Sequence, residues 1–185
     1  MSDATETNAA TSTPADPHAA TLRLLAETLG EGGYASATFR DNLRICVPKG
    51  RLIDALRALK ERGGFAMLAE LGGADYLKYP GKSPTGSRFE VHYVLRNLET
   101  TERVVVKVGV DEPDLSLPSA VPLWLGADWM EREVYDMYGV AFEGHPDLRR
   151  ILMPDEFSAY PLRKDYPLRG RGERHNFPRI TREQS

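Results

Sequence analysis

The sequence predicts an α+β domain: an antiparallel or mixed sheet covered by helices on one face, with an extended C-terminal tail. Three observations carry this expectation. Phe89, Val91, Tyr93 and Leu95 alternate with Glu90, His92, Val94 and Arg96, and a β-branched return from Val104 to Val110 follows a turn at Asn97 to Thr101, the pattern of a hairpin with one buried face. Leucines at Leu52, Leu56 and Leu59, and a seam of Leu123, Ala127, Met130, Val134 and Met137, repeat at helical spacing. Beyond residue 153, Pro154, Pro161, Pro167 and Pro178 interrupt any long helix.

Taken in order, residues 1–19 form an N-terminal tail, and Met1 to His18, rich in Ala, Thr, Ser, Asp and Pro, are expected to be disordered because they offer little to bury. Leu22, Leu25 and Leu29 then make a short amphipathic helix stopped by Gly30, Gly32 and Gly33. Ala35 to Arg40 and Leu43 to Val47 read as strands hinged at Asp41-Asn42, and Pro48-Lys49-Gly50 opens a helix that Gly63-Gly64 ends. Phe65 to Tyr79 is ambiguous: its leading part allows a helix, while Ala74 to Tyr79 suggests a strand before the Pro80-Gly81 turn. After the hairpin, Asp111 to Pro122 leads into the helix beginning near Leu123. The domain is expected to span residues 20–153 and a partner-binding tail residues 154–185.

Composition narrows the function. The chain has 185 residues, 41% hydrophobic and 28% charged, enough for one ordinary domain with tails. A net charge of −3 gives no global attraction to nucleic acid or to an acidic membrane surface. No apolar run approaches the roughly 20 residues of a membrane span, and no signal peptide is recognisable, so the chain is expected to be soluble by itself. Cys46 is the only cysteine, which leaves neither a disulfide nor a cysteine-ligated iron–sulfur cluster to be built within the chain. Gly81-Lys82-Ser83 lacks the upstream glycine of a phosphate loop, and no nucleophile elbow or dinucleotide fingerprint is present.

The candidate residues for chemistry gather between Glu131 and Ile151. Glu131, Glu133, Asp136, His145 and Asp147 are ligand types for a hard or borderline metal, and paired carboxylates can serve acid–base work. One reading is therefore a freestanding metal-dependent hydrolase using Glu131, Glu133, Asp136 and His145. Against it, Glu131 and Glu133 fall on different sides of a helix, Asp136 has Arg132 one turn away as its expected partner, and no second histidine accompanies His145. His18, His92 and His175 stand in surface or turn-like sequence. Structural or interface use is the favoured reading. The helix is expected to end at Gly139 in a left-handed conformation, and Gly144-His145-Pro146 to turn the chain.

In the tail, Pro161-Leu162-Arg163 recurs as Pro167-Leu168-Arg169. In a polyproline II strap such a repeat places both leucines on one side and both arginines on another, roughly 19 Å apart. Arg163, Lys164, Arg169, Arg171 and Arg174 outnumber Asp165 and Glu173, so the strap is expected to dock on a partner that presents apolar dimples and carboxylates.

Written with gaps, E-R-E, two residues, D-M-Y, six residues, H, three residues, R, one residue, I resembles the signature of the 30 kDa subunit of respiratory complex I, the bacterial NADH-quinone oxidoreductase. The resemblance runs from Trp124 to Pro167, through Arg149-Arg150-Ile151-Leu152 and Pro161-Leu162-Arg163-Lys164-Asp165-Tyr166-Pro167. Ala159-Tyr160 departs from it, since many members have Gly-His there. The resemblance implies a non-catalytic subunit of the hydrophilic arm, on the cytoplasmic side of the cell membrane, packed against the 49 kDa-like subunit and the cluster-bearing subunits near the quinone site. It implies no cofactor in this chain, with FMN and iron–sulfur clusters in partner subunits. The residues expected at a partner interface are Glu131, Arg132, Glu133, Asp136, His145, Asp147, Arg149, Arg150, Leu162, Arg163, Lys164, Asp165, Leu168 and Arg169.

Overall fold

The computed structural model describes residues 16–172 apart from residues 31, 41 and 82. The expectations for residues 1–15, Arg174 and His175 lie outside the described residues. His18, expected at the end of a disordered tail, is instead buried with Nδ1 2.8 Å from Glu102 Oε1, because it anchors the start of the first helix at Ala19. Helix α1 (Ala19–Leu29) leads to strands β1 (Ala35–Phe39) and β2 (Asn42–Val47), and a 3-10 turn at Lys49–Arg51 runs into α2 (Leu52–Glu61). Strand β3 (Met67–Asp75) precedes the hairpin β4 (Phe89–Arg96) and β5 (Arg103–Val110). The short strand β6 (Ser116–Pro118), helix α3 (Ala127–Tyr138) and strand β7 (Ala141–Glu143) complete the described elements.

Five strands form one sheet in the order β1-β2-β5-β4-β3. It is mixed, because β2 pairs parallel with β5, Leu43 opposite Val104, while the other pairings are antiparallel. Alternation does the rest: Leu43, Ile45 and Val47 of β2, Val91, Tyr93 and Leu95 of β4 and Val104, Val106 and Val108 of β5 all point to one face. There they join Leu25 and Leu29 of α1, Leu52, Leu56 and Leu59 of α2, and Ala127 and Val134 of α3 in a single apolar core. All three helices thus cover the same face of the sheet.

Two expectations are corrected. The leading part of Phe65 to Tyr79 is strand: β3 runs from Met67 and stops at Asp75, so Tyr76 to Tyr79 is a turn, closed by the Tyr79 amide on the Tyr76 carbonyl at 2.9 Å. Gly72 and Gly73 obscure the strand in the sequence by their low β-propensity. At Gly73 a Cβ would come within 2.7 Å of the Tyr138 ring, so the residue that weakens the sequence signal is the one that lets α3 lie against β3. The stretches Leu115 to Pro122 and Val140 to Glu143 also hide a two-stranded parallel ribbon, Leu117 opposite Phe142. It is illegible in the sequence because each strand is three residues long and its partner lies across a helix.

Residues 154–172 contain no helix or strand, as an extended tail should, yet they do not hold a polyproline II strap. Phe157, Arg163, Tyr166 and Gly170 each donate a backbone hydrogen bond three residues back, to Pro154, Tyr160, Arg163 and Pro167, and polyproline II has no internal hydrogen bonds. Nor does the segment lie outside the core. Phe157 is buried, the Leu162 amide donates to the Met137 carbonyl at 3.2 Å, and Tyr160 packs edge-on against Tyr135.

Candidate functional site

Helix α3 ends where Gly139 adopts a left-handed conformation (φ 79°) and its amide reaches back to the Tyr135 carbonyl. After β7, Gly144 (φ 80°) turns the chain so that residues 145–153 run back along α3. That return is held by buried acids. Helical spacing predicts that Asp136 pairs with Arg132, one turn away. Its carboxylate instead accepts Arg150 Nη1 at 2.6 Å and the amides of Ile151, Leu152 and Met153 at 3.1, 2.7 and 2.8 Å. Burial pushes the Asp136 carboxyl up, but the Met153 and Leu152 amides, Arg150 and the Ile151 amide together outweigh it and hold it below its ordinary value. Arg132, freed from that pairing, lies over the Trp129 ring and donates to the carbonyls of Arg149 and Arg150.

Glu131 is also fully buried. It accepts Ser119 Oγ at 2.7 Å and the Ala120 amide at 2.6 Å, pinning the segment after β6 to α3. Burial pushes its carboxyl up, against the lowering by Ser119, Ala120 and His145. The His145 side chain is enclosed too: Nε2 donates to the Asp128 carbonyl at 3.1 Å and lies 4.0 Å from Glu131 Oε2, while Nδ1 accepts the Asp147 amide at 3.0 Å.

A second lock fixes the later tail. Asp75, at the end of β3, has its side chain fully enclosed and accepts Arg88 Nε and Nη2 at 3.2 and 3.1 Å and the Lys164 amide at 2.8 Å. Arg88 also reaches Asp165 at 2.8 Å. Arg163 donates to the Tyr138 carbonyl at 2.6 Å and to Glu112 at 2.9 Å, and its guanidinium stacks over Phe89 and Tyr160. Sequence reasoning missed Asp75, Arg88, Ser119 and Asp128 altogether; each meets its partner across a distance in the chain at which no periodicity speaks.

Of the residues expected at a partner interface, the fold therefore gathers Glu131, Arg132, Asp136, His145, Arg150, Arg163, the Lys164 amide and Asp165 into contacts within the chain. Glu133, the Lys164 side chain, Leu162, Leu168 and Arg169 remain exposed, and Asp147 and Arg149 pair with each other on the surface at 2.7 Å. Leu125, Trp129 and Leu152 add exposed apolar surface around α3. The metal-hydrolase alternative finds no support here. Glu133 faces solvent while Glu131 is enclosed, Asp136 is spent on Arg150 and three amides, and among the described residues no group of three or more His, Cys, Asp or Glu is placed to hold a metal ion.

The chain resembles known proteins over most of its length. Residues 45–172 match the family described as "Respiratory-chain NADH dehydrogenase, 30 Kd subunit". A relative from Roseiflexus sp. (strain RS-1), named as the C subunit of NADH-quinone oxidoreductase, is 43% identical over 153 residues, 82% of this chain and 84% of the relative. Its counterpart of the same name from Brucella abortus (strain 2308) is 44% identical over 146 residues, 78% of this chain and 69% of the relative. Among solved structures, the trypsin-resistant fragment of Nqo5 superposes with a TM-score of 0.62 at 39% identity, covering 69% of this chain and 98% of the fragment. A chain of the membrane-bound sulfane sulfur reductase, an archaeal respiratory membrane complex, shares the fold with a TM-score of 0.67 at 24% identity, covering 88% of this chain and 93% of that one.

Proposed function

Since the chain belongs to the respiratory-chain NADH dehydrogenase 30 Kd subunit family, we propose that it is a structural subunit of the hydrophilic arm of a proton-translocating NADH-quinone oxidoreductase. In this reading electrons pass from NADH through FMN and iron–sulfur clusters to quinone in partner subunits, and this chain binds no redox cofactor. It sits on the cytoplasmic side of the membrane as a peripheral subunit, against the 49 kDa-like subunit and cluster-bearing subunits near the quinone site. No described helix is long and apolar enough to cross a membrane.

One observation carries the non-catalytic part: the buried acids of the family-like run each hold backbone. Asp136 holds Ile151 to Met153, and Glu131 holds Ala120, so the signature marks a way of folding the α3 return and leaves neither of these carboxylates poised towards a substrate. The residues present do not fit an iron–sulfur cluster, because a cluster is held by several cysteine thiolates and the sequence has one cysteine, half-buried Cys46. The test is a tag on this chain in its own cells. It should co-purify NADH-quinone reductase activity, and the partner-free chain should be colourless and bind neither NADH nor flavin. A tagged chain that brings down no such activity overturns the assignment, and flavin or cluster absorbance in the partner-free chain overturns its cofactor-free part.

A further inference from the structure

All three helices lie on one face of the sheet. On the opposite face the loop after β3 covers one end, where Glu90 is buried beneath Tyr76 and a Cβ at Gly109 would meet Ser87 at 2.6 Å, and among the described elements no helix or strand covers the other end. The floor of this opposite face is apolar at the centre, where Val94 of β4 and Val105 of β5 stand directly opposite each other, both half-buried. Phe39, on β1, extends that floor at 50% exposure.

The charges on this face are unbalanced. Among the described residues, the acids on its strands are taken: Glu90 accepts Lys107 Nζ at 2.6 Å, and Glu70 lies 3.4 Å from His92. Three arginines are not. Arg44 stacks on the Phe39 ring at 4.2 Å, Arg103 donates to Asn42 Oδ1 at 2.7 Å, and Arg96 stands directly across the β4–β5 ladder from Arg103. Among the described residues no carboxylate lies within ion-pair distance of any of the three. Like charges placed opposite each other on a sheet destabilise it, so the isolated fold derives no benefit from Arg96 facing Arg103. An apolar centre flanked by arginines has the anatomy of a protein interface, and although Asp16 and Glu102 line the same cleft as Arg96 and Arg103, the basic side chains on this face fit an acidic complement.

We propose that this open sheet face is a docking surface for an acidic polypeptide surface of another subunit, whose carboxylates pair with Arg44, Arg96 and Arg103. The inference rests on the reading of the chain as a subunit of a larger complex and assigns one of its contact faces. That face is distinct from the α3 side, which the sequence singled out.

The test uses the tagged full chain in cells lacking the untagged gene. Arg44→Glu with Arg103→Glu should leave the purified chain folded and reduce its incorporation into the complex at least about tenfold. The control pair Arg23→Glu and Arg57→Glu, on the helical layer, should assemble as the unaltered chain does. Incorporation of the Arg44/Arg103 variant at the unaltered level overturns the proposal. Should that variant not fold, Arg44→Lys with Arg103→Lys supplies amines for carbodiimide coupling in the assembled complex. An amide bond from either position to a carboxylate of another subunit is expected, and an active complex without one overturns the proposal. The purified chain should stay in solution with phosphatidylglycerol-containing vesicles; sedimentation that depends on these arginines replaces the protein partner with a lipid surface. Failure of the unaltered tagged chain to co-purify NADH-quinone reductase activity instead removes the functional reading itself.

Discussion

Asp136 and Arg150, fourteen positions apart, meet at 2.6 Å, and around that contact the chain after α3 is bent back onto the helix. Replacing Asp136 with Ala removes a buried charge partner and the acceptor of three amides, a loss of about 3–5 kcal/mol. Chemical denaturation of the isolated domain should read it directly; a change below about 1 kcal/mol sinks the staple.

The same carboxylate sets an acid limit. Its folded-state value is depressed below the ordinary 3.8, as is that of Asp75, so their contribution is fully present above that ordinary value and is lost as pH falls through the depressed one. Thermal unfolding followed downward from neutrality should show stability falling below about pH 4, and Asp136→Asn should flatten that slope.

Glu131 behaves in the opposite sense. Burial raises its value above the ordinary 4.5, so the folded state holds the proton longer, and the contribution present below that value is lost as pH rises through the raised one. Relative to the unaltered chain, Glu131→Gln should therefore gain stability as pH rises from 4 towards 7 (about the carboxylate range and above it). A difference independent of pH contradicts the assignment.

The tail's contribution is open to a truncation. An extended strap outside the core predicts that cutting after Leu152 spares the domain. Because the cut removes buried Phe157 and the Lys164 amide bond to Asp75, it should instead cost about 3 kcal/mol, roughly 6–12 °C in Tm. Truncation after Gly170 should leave Tm nearly unchanged, since both of these contacts are retained.

Gly139 joins both locks. A Cβ there meets the Tyr160 ring at 2.6 Å and Arg163 Nη2 at 2.7 Å, on a backbone with φ 79°. Gly139→Ala should lower stability by about 1–2 kcal/mol or more and raise hydrogen exchange at the Leu162 amide before that of β4 and β5.

These contacts show what the sequence could reveal. The hairpin, the three helices and the left-handed stop at Gly139 were legible because each is written in a local pattern of period 2, 3.6 or a single special residue. The importance of Glu131, Asp136 and Arg150 was legible too, through the family-like run, but their roles were not. A carboxylate that serves three amides fifteen to seventeen positions away looks, in one dimension, the same as one waiting for a partner. The tail misled for a related reason: its prolines announce the lack of a helix but say nothing of Asp75, which binds the Lys164 amide from the far end of β3.

The parallel pairing of β2 with β5 has a consequence for how the chain comes into being. On the side away from β1, Leu43 to Val47 find their neighbours in Val104 to Val108, beyond α2, β3 and β4. During synthesis the N-terminal ribbon of β1 and β2 therefore emerges with one edge unpaired and must wait. The local hairpin β4–β5 forms quickly, whereas closing the long connection around α2 comes late. Until it does, Leu43, Ile45 and Val47 have no sheet to complete, and the half-made protein exposes that edge to pairing with another chain.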